Sequence, residues 1–325
     1  MTDPMPVSCC TSRAQEKVPT IFQEEWWLDA ASGGRWERVD GGVGSGARAW
    51  LPFTRERIHG AVQLAMPPYT RTLGPSFSMP PSKPVTRIDS MRSLVGEMIR
   101  RLPRHDLFRQ VLPPGAQEEA LAFALNGWTV GTEYTFCIGA ATSPHEPWGA
   151  MSQKTRNLVR TAGRYYEVEW HREIGRLVAL SRSQLEAKRA TNHHRYAAMS
   201  RAFEAARARG CAAVASALDD RRREAAAVAL VWDANAVYLW NTARNPAESG
   251  SGALSLLVWE ACKMAHARGL TMDLDGFASP AAGRFVASFG GTPTPRPVVT
   301  RKGVRSSVIS LVGDLRRLAR RWMPP

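Results

Sequence analysis

The strongest constraint on the fold lies between Ala225 and Thr300, where a buried strand, an aromatic strand, a glycine-opened helix, an acidic strand and a short helix follow one another. Ala225 to Trp232 is almost wholly apolar, as a strand covered on both faces must be, and Asp233 to Asn235 supplies turn chemistry before Ala236 to Trp240. The pair reads as a hairpin. Side chains alternate along a strand, so Val237 and Leu239 face one way and Tyr238 and Trp240 the other, leaving one face aromatic. Asn241 to Gly252 is turn-rich, and from Ala253 apolar residues recur at helical spacing until Gly269. Gly250 and Gly252 therefore stand at a helix start, where unpaired N–H groups and the positive end of the helix dipole can take a phosphate. Leu270 to Asp275 alternates, with Thr271, Asp273 and Asp275 on one face. Phe285, Val286 and Phe289 mark a short helix, and a last strand is expected near Pro297 to Thr300.

Three motifs in this stretch, and one before it, carry a family resemblance: Tyr238-Leu-Trp-Asn241 ending the hairpin, Leu256-Leu-Val-Trp-Glu-Ala261 in the helix, Asp273-Leu-Asp-Gly276 after the acidic strand, and Lys154-Thr-Arg-Asn157-Leu-Val-Arg160 upstream. The chain resembles the Fem-type and CelD-like branch of the GNAT acyltransferase superfamily, most strongly over about residues 150–300. The resemblance implies an α/β (α+β) fold of two tandem GNAT-like domains, each a mixed sheet flanked by helices. The expected division is a disordered N-terminus over 1–19, one domain over 20–145, a second over 146–310 carrying the acyl-transfer site, and a basic C-terminal helix over 311–325.

The first half has its own cycle of elements. Phe22 to Ala31 reads as an amphipathic helix, Ala47 to Phe53 as a strand after a glycine-rich turn, and Ile58 to Ala65 as another strand. Six prolines in Met66 to Pro84 mark a loop. A helix at Ser90 to Leu102, a strand at Leu107 to Leu112, a helix at Ala116 to Leu125 and a strand at Tyr134 to Gly139 then match the β-α-β-α ending of the second half. The boundary is expected in 140–150, around Pro144 and Pro147.

At 325 residues the chain is about two domains long, and its 44% hydrophobic residues suffice for folded cores. It has no run of about 18 apolar residues and no secretory core in its first residues, so a cytoplasmic protein without a transmembrane segment is expected. Five scattered cysteines without CxxC spacing read as free thiols. The net charge is +14, and Arg301 to Pro325 alone holds seven basic residues against one aspartate. Such surfaces attract polyanions: tRNA, an anionic membrane met peripherally, or the phosphates of a cofactor. His193 and His194 lie about 100° apart on a helix and cannot form a metal-binding i, i+4 pair, so no metal is expected.

The resemblance implies a donor held near Arg244, Ser249, Gly250, Ser251 and Gly252, with either acyl-CoA or aminoacyl-tRNA as co-substrate and no permanently bound cofactor. Asp273 is the candidate base for an amine, against a reading as a turn cap. Tyr238 is the candidate acid, against core packing. Lys154, Arg156, Asn157 and Arg160, with Trp240 and Asn241, are candidates for substrate binding, against a solvated helix face and a packed core. Positioning and backbone N–H groups carry catalysis in such folds, which suits the absence of a Ser-His-Asp or Cys-His constellation. One departure from the family is that Ala247, followed by Glu248, occupies the place three residues before the first glycine where its phosphate loop has Arg or Gln. The expected reaction is transfer of an acyl group from acyl-CoA to the amine of a small molecule or of a cell-envelope or glycan precursor. Aminoacyl transfer from tRNA and a non-catalytic binding scaffold are the alternatives.

Overall fold

The computed structural model describes residues 19–42, 44, 46–58, 60–140, 145–187, 195–248, 251–275 and 279–303. The expected N-terminal tail, the basic C-terminal helix, the His193-His194 pair, Ser249, Gly250 and Gly276 lie outside the described residues. A 3-10 turn at Ile21–Gln23 leads into α1 (Glu25–Ser32), β1 (Trp36–Gly42), β2 (Arg48–Ile58), β3 (Ala61–Ala65), β4 (Ser76–Ser78), α2 (Pro84–Arg101), β5 (Leu107–Val111), α3 (Gln117–Leu125) and β6 (Thr129–Ile138). Then come α4 (His145–Ala150), α5 (Gln153–Tyr165), β7 (Glu167–His171), α6 (Gly175–Ala187), α7 (Tyr196–Ala208), β8 (Ala212–Leu218), β9 (Glu224–Trp232) and β10 (Ala236–Arg244). A 3-10 turn at Pro246–Glu248 precedes α8 (Ala253–Ala267), β11 (Thr271–Asp273), α9 (Pro280–Ala287) and β12 (Thr292–Lys302).

Among the described residues all twelve strands belong to one mixed sheet, in the order β1-β2-β3-β5-β12-β6-β11-β10-β9-β8-β7, with β4 on β2. The expected α/β class, a mixed sheet flanked by helices, is what the chain forms. Each half runs β-α-β-α-β: β3-α2-β5-α3-β6 in the first, β10-α8-β11-α9-β12 in the second. The first two strands of each set pair in parallel. The last strand of each set pairs with the other half, β6 on β11 and β12 on β5, and β6 and β12 pair with each other over nine residues. The halves are thus joined by an exchange of their closing strands.

Three apolar clusters fill the layers. Val237, Leu239 and the inner faces of α5 and α8 form one; Tyr238, Trp240, α6, α7 and α1 form the second on the opposite face of the same strands; α2 and α3 cover the first half. The predicted alternation at 237–240 therefore holds, and β9 is buried over Ala225 to Val231, as a strand covered on both faces should be.

Several local expectations need correction. Trp36–Gly42 is a strand whose end lies in the glycine-rich stretch assigned to a turn, and Ser76–Ser78 is a strand inside the proline-rich loop. The acidic strand stops at Asp273, and Asp275 turns into the left-handed region at φ 73°. His145–Ala150 is helical in spite of Pro147, which falls in a first turn whose N–H groups have no helical acceptor anyway. The last strand starts five residues before Pro297. Pro293, Pro295 and Pro297 alternate with residues whose N–H groups point at β6. The Pro297 carbonyl, which accepts from Leu112 N–H at 2.8 Å, points away from β6, so its missing N–H belongs to the same side and breaks no bond to β6.

Candidate functional site

β10 and β11 run parallel over only three residues, Ala236 to Tyr238 against Thr271 to Asp273. Beyond them β11 ends while β10 continues to Arg244, and a bulge at Trp240 shifts its register on β9. A parallel pair whose strands part in this way opens a cleft at its carboxyl edge, where α/β proteins place ligands. The helix that follows β10 must begin at that same edge, so the start of α8 and the end of β11 lie along one rim of the sheet.

At the α8 start the structure brings Lys154, Asn157 and Ser251 together. They line a groove of about 770 Å³ with Gln153, Tyr165 and Tyr166. Lys154, Asn157, Thr161 and Tyr165 follow one another at steps of three, four and four residues and share one face of α5. Arg156 and Arg160 lie on another face and are committed elsewhere. Arg156 donates to the carbonyls of Gly149 at 3.0 Å and Met151 at 2.8 Å at the end of α4, and the Arg160 guanidinium lies 5.3 Å from the Trp148 ring centre. Glu248 is held by the Tyr166 hydroxyl at 2.8 Å. Burial, with Glu248 beside it, pushes the Tyr166 phenol above its ordinary range, so it remains a donor. Gly252 has φ +81°, and a Cβ there would stand 2.9 Å from the Leu158 carbonyl oxygen. Glycine at 252 is demanded by backbone and by the close approach of α8 to α5, whatever binds there. Arg244 lies exposed at the end of β10, its backbone N–H bonded to Gln184 at 3.3 Å.

Where β11 ends, Asp273 is buried. Its Oδ1 accepts the Thr135 hydroxyl at 2.6 Å and the Asp275 N–H at 2.8 Å, an Asx turn that both stops the strand and holds Asp275 left-handed. Two arginines that sequence reasoning did not single out converge on this turn. Arg71 comes from the proline-rich loop: it donates to the Leu239 carbonyl, at the point where the strands part, and lies 3.6 Å from Asp273 and 3.5 Å from Asp275. Arg296, on β12, lies 3.5 Å from the other oxygen of Asp275. The guanidinium groups are buried, whereas the Asp275 side chain is 46% exposed, so the cluster opens to solvent through Asp275. Cys137 is a neighbour, its thiol pushed up to about 11 by burial and by Asp273.

Tyr238 and Trp240 point away from the α8 side of the sheet. The Tyr238 hydroxyl donates to Asp233 at 2.9 Å, on the carboxylate oxygen that also accepts the Ile21 N–H at 2.8 Å, and its ring packs on Phe22. Burial and the Asp233 carboxylate hold that phenol well above its ordinary pKa. Trp240 donates its ring N–H to the Tyr69 carbonyl at 2.9 Å and packs on Trp27. Tyr238→Phe is therefore expected to lower stability by about 1 kcal/mol and to leave kcat unchanged. Urea unfolding and turnover check this, and a fall in kcat at full stability would return the phenol to the chemistry. Asn241 follows the bulge with its side-chain amide nitrogen buried and unbonded.

Among the described residues no helix is long and apolar enough to cross a membrane. A family model for the acetyltransferase (GNAT) domain matches residues 150–280, which contain both the groove and the end of β11. No curated protein matches the sequence. Of solved structures, FemX superposes with a TM-score of 0.66 at 11% identity, over 87% of this chain and 93% of FemX. The C-terminal domain assigned to a lysylphosphatidylglycerol synthetase of Agrobacterium fabrum gives 0.58 at 12% identity, over 89% and 91%. A tandem GNAT protein from the clavulanic acid biosynthesis pathway gives 0.50 at 13%, over 83% and 84%. At these identities the likeness is one of fold.

Proposed function

Taking the chain as an N-acyltransferase of the GNAT superfamily in its Fem-like form, we propose that it transfers an acyl group from acyl-CoA to an amine at the carboxyl edge of β10 and β11. The observation that carries the reading is the convergence of Lys154, Asn157 and Ser251 on one groove beside the start of α8. One ammonium, one amide and one hydroxyl beside helical N–H groups suit a phosphate; among the described residues the lining side chains include no carboxylate, and the Glu248 carboxylate is taken up by the Tyr166 hydroxyl. The acyl carbon then lies toward the parting of β10 and β11, and the acceptor enters past Asp275. The amine nitrogen forms the new C–N bond, the thioester C–S bond breaks, and the amine proton leaves with the thiolate. Positioning and fixed dipoles lower the barrier without a covalent enzyme intermediate.

Aminoacyl-tRNA as donor is the second reading. The net charge of +14 and the likeness to FemX and to the Agrobacterium domain favour it. The acceptor is then a small molecule or an envelope or glycan precursor on either reading.

The test is thermal unfolding with coenzyme A, acetyl-CoA, a long-chain acyl-CoA, and charged and uncharged tRNA, at low and moderate salt. A ligand of the native state raises the midpoint. A salt-tolerant shift with a coenzyme A species, weakened about tenfold or more in affinity by Lys154→Gln, is the expected result. A shift with charged but not uncharged tRNA would replace it with the aminoacyl reading, and no shift with any of them would remove both.

A further inference from the structure

We propose that the cluster of Arg71, Asp273, Asp275 and Arg296 seats the acceptor, and that the acceptor is an amino acid, presenting a carboxylate beside its amine. The proposal rests on the acyl-transfer reading and narrows its second substrate.

The first observation is chemical. Arg71 Nη1 and Arg296 Nε are buried without a hydrogen-bond partner, and both are donors. Buried polar groups are almost always paired, so two arginine donors of one cluster without a hydrogen bond, Arg71 Nη1 standing 3.6 Å from the Asp273 carboxylate, call for a further oxygen acceptor. The planar complement of a guanidinium is a carboxylate. The arginine side chains are 8% and 7% exposed, and each faces a different oxygen of Asp275. The second observation is the charge balance. Two guanidinium groups stand against two carboxylates. A lone anion or a lone ammonium would leave the buried cluster with net charge, which a low-dielectric site resists; a zwitterion leaves it balanced. Its carboxylate meets the arginine donors and its ammonium meets the half-exposed Asp275, the one member of the cluster open to solvent.

Placement agrees with this. Arg71 is bonded to the Leu239 carbonyl where β10 leaves β11, and Asp273 and Asp275 end β11, so a molecule held here lies beside the strand along which the donor is expected.

The experiment is binding of alanine, glutamate and lysine to the full chain, each compared with its carboxamide, and with ethylamine and acetate, by calorimetry and thermal shift. The expected result is that at least one amino acid binds and that its carboxamide binds at least tenfold more weakly. Arg296→Gln and Asp275→Asn are each expected to weaken that amino acid tenfold or more while the coenzyme A shift stays unchanged. Asp275→Asn keeps size and lies at the exposed end, so it reports even where the buried arginine variant fails to fold. Equal binding of an amino acid and its carboxamide, or no amino-acid binding by a chain that still binds a donor, overturns the proposal alone. Amino-acid binding by a chain that binds neither donor overturns the donor reading instead.

Discussion

Arg71→Met is expected to lower the free energy of unfolding by about 3–5 kcal/mol, although Arg71 belongs to a loop. Its guanidinium is buried, bonded to the Leu239 carbonyl and within 3.6 Å of the buried Asp273. Removing it leaves a buried carboxylate without its countercharge and a carbonyl without its donor, and methionine fills the volume but supplies neither. Adding Asp273→Asn to Arg71→Met is expected to recover part of the loss, because the uncompensated charge then disappears. The two single substitutions and the double should therefore be non-additive, by more than the few tenths of a kcal/mol seen for independent sites. Urea unfolding of the four proteins measures this. A loss under about 1 kcal/mol for Arg71→Met would mean that water replaces the guanidinium and that the cluster is looser than its geometry indicates.

The same pair shows what a sequence discloses and what it hides. Asp273 was legible because it stands in an alternating strand, where one charged face is a local signal. Arg71 lies among six prolines and Arg296 among three, and in such segments neither a helical nor a strand period exists to show that a charge points inward. Arg296 had one available sign, an arginine on the same strand face as Val298, two residues away. The α5 residues divided for a geometric reason. Lys154 and Asn157 reach the groove while Arg156 and Arg160 meet α4, because consecutive residues turn by about 100° and a motif spanning seven positions covers the whole helix circumference.

The fold divides in the same manner. The order β9-β10-α8-β11-α9 was readable because each element carries its own pattern: an apolar run, an alternation, a 3.6-residue period, a cap. The matching cycle in the first half was readable for the same reason. What no local pattern records is which strand a closing strand will pair with. Placing β12 between β5 and β6, and β6 beside β11, is decided by contacts far apart in sequence. The consequence for site analysis is that Gly252, a natural position to probe the donor, is a poor one. A side chain there would disturb both a left-handed backbone and the packing of α8 on α5, so lost binding in such a variant would not identify a ligand contact.

Trp27→Ala is expected to cost about 3–5 kcal/mol and to do so without splitting the unfolding transition. Trp27 is fully buried, its ring N–H donates to Thr70 at 3.0 Å, and its ring packs edge-on to Phe22 and Trp240. The first two partners lie in the first half of the chain, but Trp240 stands on β10, so α1 covers the sheet of the second half. A cavity at this point should loosen both halves together, since the exchanged strands leave neither with a closed sheet of its own. Fluorescence and far-ultraviolet circular dichroism should therefore report coincident midpoints for the variant as for the parent. Two separated transitions, with only the second-half signal displaced, would show instead that the halves fold as independent units and that the exchange of β6 and β12 contributes little to their coupling.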